Sequence, residues 1–338
     1  MKDRFPIYIL LMAVLVTTHA QQPQNDPNWQ TVFEDNFSSF DDNRWYKEHL
    51  IKSADGEGED PGYYLPQNVN NVAGKLVLTV KRDTLWHSTE CHYFDTLAGY
   101  HYFSSASVVS QDRYRYGYYE IRAKLPVSDG YWPAFWFWAQ DDTSANCWYN
   151  ELDVVEGQGC YPDSLYANVH WDFTYPFEGD HHSPYVHQTD PTNYHWYGIE
   201  WDSLYVRWYY DRELFHIERN NWGGEGIQHG MHLILSVSLN PYGSPYNNIS
   251  ANTIFPNYMY VDQANAYRLI CDCNTQVYDI LDFSTYSYGV KKKITLSGAT
   301  TLPTGSDICL RAVQYIELTN GFEVPIGTAF YADVNPCP

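Results

Sequence analysis

The chain has 338 residues, enough for one large β domain with a smaller module beside it. Tyr, Trp and Phe make up 17% of the sequence, and the formal net charge is -21 at pH 7. This acidity argues against nucleic acid or an anionic membrane surface as a partner, and no segment after the N-terminus is apolar for long enough to span a bilayer.

The N-terminus predicts export. A charged start precedes an apolar run over residues 7–16, and the following Thr-His-Ala ends at Ala20. This order is typical of a signal peptide over residues 1–20, cleaved after Ala20, and it predicts a secreted or cell-surface protein. Residues 21–28 are polar and predict a flexible lead-in.

Short alternating segments recur from Trp29 onward. Residues 75–80, 118–123 and 205–210 are examples, and Gly, Pro, Asn and Asp separate such segments throughout. The pattern shows no convincing helical period. Many short strands between turn signals predict an all-β sandwich.

An aromatic segment, GYWPAFWFW, lies near the middle of the chain. If it is a strand, alternation places Trp132, Trp136 and Trp138 on one face. A core face would have little room for three indoles, whereas sugars stack on flat aromatic rings. We therefore predict that these side chains line a cleft that binds sugar.

The sequence ELDVVE follows, with three acidic residues among three aliphatic ones. Strand alternation puts Glu151 and Asp153 on one face and turns Glu156 away. One extra residue, a β-bulge at Val154-Val155, would bring Glu156 back to the acidic face. Glycoside hydrolysis requires two carboxylates, one as nucleophile and one as proton donor. A carboxylate row near an indole row favours a polysaccharide site over an ordinary solvated strand.

Five segments, in the same order along the chain, resemble glycoside hydrolase family 16, the laminarinase-like jelly-roll enzymes. They are SQDRYRYGYYEIRAKLP at 110–126, GYWPAFWFW at 130–138, ELDVVE at 151–156, YHWYGIEW at 194–201 and MYVD at 259–262. The resemblance covers roughly residues 29–270. It implies a curved β-sandwich with a substrate groove on its concave face, formed by a catalytic domain over residues 29–271.

The resemblance also implies a retaining double displacement, with Glu151 as nucleophile, Glu156 as general acid/base and Asp153 between them. Glu156 must be protonated near neutral pH, and repulsion by two neighbouring carboxylates would raise its pKa. His170, one strand further on, is either a ligand for a sugar hydroxyl or a structural histidine.

No cofactor is expected for catalysis. Members of the family often hold a structural calcium ion on the convex side, and the matching positions here are Glu34, Gly74 and Asp262. We treat a calcium site at these three residues as an expectation that rests on the resemblance.

The C-terminal tail contains an internal repeat. Seven positions from Ile294 to Ile308 recur 22 residues later, from Ile316 to Phe330, and such a period predicts stacked β turns. We predict a small β-repeat module over residues 272–338. Four of the seven cysteines lie in the last 68 residues, so disulfides are expected there, although the sequence does not fix their connectivity.

The leading interpretation is a secreted, monomeric, endo-acting hydrolase of β-1,3- or mixed β-1,3/1,4-glucan. The alternatives are a hydrolase of an agar, porphyran or carrageenan type of galactan, a transglycosylase, and a non-catalytic sugar-binding protein. Both terminal glutamates of the motif are present, which favours an enzyme. The strong negative charge favours a neutral glucan over a sulfated polymer, and the sequence leaves hydrolase and transglycosylase open.

Overall fold

The structure is a computed structural model that describes residues 23–48, 50–51, 62–87, 99–141, 148–172, 178–182, 186–187, 190, 192–222, 226–239 and 249–337. The predicted signal peptide lies outside these ranges. Within them, no helix has the length and apolar character needed to cross a membrane.

The described chain is built almost entirely from strands, with two short 3-10 helices at Pro23–Asn25 and Pro66–Asn68. The strands are β1 (Trp29–Asp35), β2 (Trp45–Lys47), β3 (Leu50–Ile51), β4 (Gly62–Tyr64), β5 (Val69–Asn71), β6 (Leu76–His87), β7 (Gly99–Tyr114), β8 (Gly117–Lys124), β9 (Tyr131–Asp141), β10 (Trp148–Gln158), β11 (Tyr161–Asp172), β12 (Glu178–His182), β13 (Val186–His187), β14 (His195–Trp201), β15 (Tyr205–Tyr210), β16 (Glu213–Arg219), β17 (Met231–Leu239), β18 (Asn257–Leu269), β19 (Cys271–Tyr278), β20 (Val290–Leu296), β21 (Asp307–Ala312), β22 (Ile316–Leu318) and β23 (Ala329–Val334).

Strands β1–β18 form two facing, mostly antiparallel layers that are joined at one side into a single curled sheet, with β4 pairing in parallel with β7. The front sheet has the order β2-β7-β17-β9-β10-β11, with β12 and β13 at its edge. The back sheet has the order β16-β15-β14-β8-β18, and β18 pairs on its other side with β1 and β6. The predicted all-β sandwich is confirmed.

Aromatic and aliphatic side chains fill the space between the two sheets. Phe135 and Phe137 of β9 are fully buried, as is Leu152 of β10. From the back sheet, Tyr119 and Trp201 meet Phe137, with ring centroids 5.0 and 6.4 Å away. Because side chains alternate along a strand, burying Phe135 and Phe137 turns Trp136 and Trp138 of β9 to the outer face of the front sheet.

A second, smaller sheet contains β19–β23, whose strands pair in parallel. Ile294 of β20 pairs with Ile316 of β22, and Ile308 of β21 pairs with Phe330 of β23, each 22 residues further along the chain. Residues one 22-residue sequence period apart are thus paired side by side in β20 and β22 and in β21 and β23. A disulfide joins Cys273 to Cys337, with the Cα atoms 6.2 Å apart.

The small sheet packs against the outer face of the back sheet. Trp29, Tyr118, Tyr209, Tyr267 and Leu269 form one buried cluster there with Val290 of β20. The last strand of the sandwich ends at Leu269 and β19 begins at Cys271. The division into a catalytic domain over 29–271 and a module over 272–338 stays a prediction.

Residues just before β1 take part in this contact. Asp26 and Asn28 are 2% and 1% exposed. Asn28 donates to the carbonyl oxygen of Cys309 at 2.9 Å, and the Arg311 guanidinium lies 3.5 Å from the Asp26 carboxylate. At Asp26 and Asn28 the structure therefore differs from the expected flexible lead-in, because these two side chains are bonded to the small sheet.

Candidate active site

The tryptophan row lies on β9 in the front sheet. Trp132, Trp136 and Trp138 are each half-buried, between neighbours on the same strand that point into the core. Trp138 pairs with Glu151 of β10, and Trp136 pairs with Asp153. Trp136 is fixed by the bond from its indole nitrogen to Ser236 Oγ of β17, at 3.1 Å. The structure thus sets the indole row directly beside the acidic strand.

The register of β10 shifts by one residue inside the acidic motif. Against β9, Asp153 pairs with Trp136 and Val155 pairs with Phe135. Between these two pairs β10 therefore contains one residue, Val154, that has no counterpart in β9. Against β11 the pairing also shifts between Asp153 and Glu156. Val154 and Val155 are consequently both buried, at 3% and 2% exposure, while Glu156 is partly exposed. This shift occurs at the position where the alternation argument requires an extra residue.

Glu156 is held from two neighbouring strands. The indole nitrogen of Trp132 donates to Glu156 Oε1 at 2.7 Å, and the side-chain amide of Asn168 donates to Oε2. Burial raises the pKa of Glu156, repulsion by the Glu151 carboxylate raises it further, and the bonds from Asn168 and Trp132 and the nearby His170 counteract part of that rise. The net pKa of Glu156 is above its ordinary value, which suits a proton donor.

Asp153 and His170 lie on the Glu151 side of the motif. Asp153 is 1% exposed, and His170 Nε2 lies 3.4 Å from its Oδ2. His170 of β11 pairs with Glu151 of β10. A carboxylate oxygen of Glu151, a carboxylate oxygen of Asp153 and a ring nitrogen of His170 all lie within 4.8 Å of one another. On the core side, the Trp208 indole donates to the Asp153 carbonyl oxygen at 2.9 Å and fixes the backbone of the motif. Carboxylates and imidazole can also bind a metal ion, but a double displacement by two carboxyl groups requires none.

The residues expected to hold calcium lie away from this cluster. Asp262 Oδ2 accepts a 2.7 Å bond from Arg122 and lies 3.7 Å from Lys75 Nζ, while Glu34 accepts a 2.8 Å bond from Tyr267. A calcium ion at Asp262 would compete with two positive side chains. The calcium site stays a prediction and contributes no step to the mechanism. Gly74 lies in the turn before β6 with φ +69°, a conformation that favours glycine.

The sequence reasoning missed two side chains of the site. Asn168 lies two residues before His170 on β11, so strand alternation would have placed it on the same face. Ser236 has no such signal, because β17 approaches β9 only through the sheet order.

The chain is similar to known proteins in both sequence and fold. The model of the family described as glycosyl hydrolases family 16 matches residues 60–248. A β-glucanase of Rhodothermus marinus is 24% identical, over 72% of this chain and 87% of that protein. The clotting factor G alpha subunit of Tachypleus tridentatus is 25% identical over 72% of this chain, which spans only 35% of that relative. The laminarinase catalytic domain from Thermotoga maritima superposes with a TM-score of 0.60 and 26% identity, over 72% of this chain and 100% of the other.

Proposed function

This chain belongs to glycoside hydrolase family 16, and we propose that it is a secreted, endo-acting hydrolase of β-1,3- or mixed β-1,3/1,4-glucan. The similarity to proteins named as a β-glucanase and a laminarinase supports this substrate class. The predicted signal peptide supports secretion.

One observation carries the proposal: the two glutamates of β10 are placed in unlike surroundings. Glu156 is partly buried and bonded to Trp132 and Asn168, with its pKa raised. Glu151 lies among Asp153, His170 and Trp138, on the other side of the register shift. Two neighbouring carboxyl groups in unlike surroundings are what an acid and a nucleophile require.

The proposed reaction is a double displacement with retention. Glu151 attacks the anomeric carbon while Glu156 gives its proton to the departing glycosidic oxygen, which leaves a glycosyl ester on Glu151. Glu156, now ionised, takes a proton from water as that water attacks the anomeric carbon and releases Glu151. Asp153 and His170 keep Glu151 oriented. Trp132, Trp136 and Trp138 stack on the sugar rings.

Neutral glucan is favoured over a sulfated galactan because of the charge of the whole chain. At a formal -21 the protein repels a polyanion at long range, and salt screens that repulsion over roughly 8–10 Å. A carrageenan or porphyran type of substrate remains the second candidate for the test below.

The test is product analysis on a polysaccharide panel. Laminarin and lichenan, as neutral β-glucans, are compared with agarose, porphyran and κ-carrageenan at low and moderate salt. We expect oligosaccharides from laminarin or lichenan and none from the galactans. Cleavage of a sulfated galactan without cleavage of laminarin would overturn the substrate assignment. Longer products than the starting oligosaccharide would identify a transglycosylase.

A further inference from the structure

The small sheet presents a mixed aromatic and polar outer face. Along β19, β20 and β22, Val277, Ile294 and Ile316 turn inward and belong to the core of the small sheet. The residues on either side of them turn outward by alternation. This outer face consists of Gln276, Tyr278, Lys293, Thr295, Tyr315 and Glu317.

Two tyrosines on this face are unusually open to solvent. Tyr278 is 65% exposed and Tyr315 is 42% exposed. Phenol rings are more often partly covered, so two open rings on either side of β20 indicate a surface that contacts something else.

Lys293 lies between the two rings. Its Nζ is 5.5 Å from the Tyr278 centroid and 5.8 Å from the Tyr315 centroid, so the centroids are at most about 11 Å apart. Hydrogen bonding to both tyrosine side chains raises the pKa of Lys293. The ammonium group therefore lies over both rings and joins them into one surface across β20.

The charges of the face match a neutral ligand. Lys293 and Glu317 are its charged residues and cancel each other, while Gln276 and Thr295 offer neutral hydrogen-bonding groups. Aromatic rings beside such groups bind the apolar C–H faces and the hydroxyls of a sugar chain.

The face is separate from the candidate active site. The small sheet packs on the outer side of the back sheet, through Tyr118, Tyr209 and Tyr267, whereas Glu151 and Glu156 lie on the front sheet. A ligand on this face would not occupy the cleft around the glutamates.

We propose that Tyr278, Lys293 and Tyr315 form a second glycan-binding site, which holds the enzyme on insoluble neutral polysaccharide. The choice of ligand rests on the proposed function of the cleft. A second point of attachment to the polysaccharide raises the effective concentration of its glycosidic bonds at the cleft without any new contact there.

The experiment compares the full-length chain with Tyr278→Ala/Tyr315→Ala. Binding to insoluble linear β-1,3-glucan is measured by depletion at 4 °C, and initial rates are measured on the same solid and on a soluble laminarin oligosaccharide. We expect the bound fraction and the rate on the solid to fall at least fivefold in the double variant. The kcat/KM on the oligosaccharide should stay within twofold, since the face is remote from the cleft.

The matched control is Val324→Ala/Ile326→Ala, which removes two exposed apolar side chains in the connection between β22 and β23, outside this face. It should bind and react like the unaltered chain, and melting curves should show all variants folded. Unchanged binding in the tyrosine variant, an equal loss with the control variant, or an equal loss on the soluble substrate would each overturn the second site. Absence of any binding by the unaltered chain would do so too. Absence of cleavage with tyrosine-dependent binding would overturn only the proposed activity.

Discussion

The indole nitrogen of Trp132 lies 2.7 Å from Oε1 of Glu156, so the tryptophan row of β9 and the carboxylate row of β10 meet in one hydrogen bond. Trp132, which we propose stacks on sugar, therefore also stabilises the ionised form of the proposed acid/base. Asn168 donates to the other carboxylate oxygen from the opposite neighbouring strand. Substrate contact and proton chemistry are coupled at this residue.

Trp132→Phe should shift the alkaline limb of the kcat/KM profile to higher pH. The substitution keeps an aromatic ring but removes a donor that lowers the pKa of Glu156, so that pKa rises. A general acid works only while protonated, and a higher pKa keeps it protonated to higher pH. The matched control is Trp136→Phe, because the Trp136 indole donates to Ser236 and not to Glu156. The alkaline limb of this variant's kcat/KM profile should not move. Equal behaviour of the two variants would contradict this role.

Asn168→Leu should move the same limb in the same direction. Leucine has a similar size but donates no hydrogen bond to Oε2, so the protonated form of Glu156 gains relative to the ionised form. The pH profile of kcat/KM on a soluble oligosaccharide is the measurement, with circular dichroism to verify the fold. An unshifted limb in a folded variant would show that Asn168 does not set the pKa of Glu156.

The fold class and the faces of β9 and β10 could be predicted from the sequence because strand alternation is a local property. Phe135 and Phe137 turn inward, so Trp136 and Trp138 must turn outward. The partners of Glu156 could not be predicted, because Trp132 and Asn168 reach it through strand register, which depends on the whole sheet. The burial of Asp26 and Asn28 was missed for a similar reason, since their partners Arg311 and Cys309 lie more than 280 residues further along the chain.

Glu151→Gln should lower turnover by more than about 10⁴-fold, because an amide cannot form the glycosyl ester and loss of a nucleophile costs more than loss of a general acid or base. Glu151 is partly exposed, so the change leaves no cavity in the core. It also removes the repulsion that raises the pKa of Glu156, so that pKa falls. The alkaline limb of any residual activity should therefore lie at lower pH than in the unaltered chain. Azide should restore part of the rate in Glu151→Gly by attacking from the vacated face. More than about a tenth of the original rate in Glu151→Gln would remove the nucleophile from this position.

Arg311→Ala should reduce the free energy of unfolding by about 3–5 kcal/mol, because it leaves the buried Asp26 carboxylate without its positive partner. Arg311 also donates to Asn335 at 2.9 Å within the small sheet. Arg268→Ala is the control, since Arg268 is exposed and bonds only weakly to Gln30, at 3.4 Å. Denaturant unfolding of both variants is the measurement. Equal stabilities would show that the contact between the small sheet and the N-terminal residues contributes little.

Time-resolved proton NMR of laminarin during digestion tests the central claim most directly, because one spectrum reports both bond cleavage and the configuration of the new reducing end. The account predicts internal cleavage whose first product is the β-anomer, with the α-anomer appearing only later by mutarotation, and no signal from Glu151→Gln or Glu156→Gln. An α-anomer formed first would contradict the assignment of Glu151 as nucleophile. No new reducing ends from laminarin or lichenan would contradict the proposed β-glucan hydrolase.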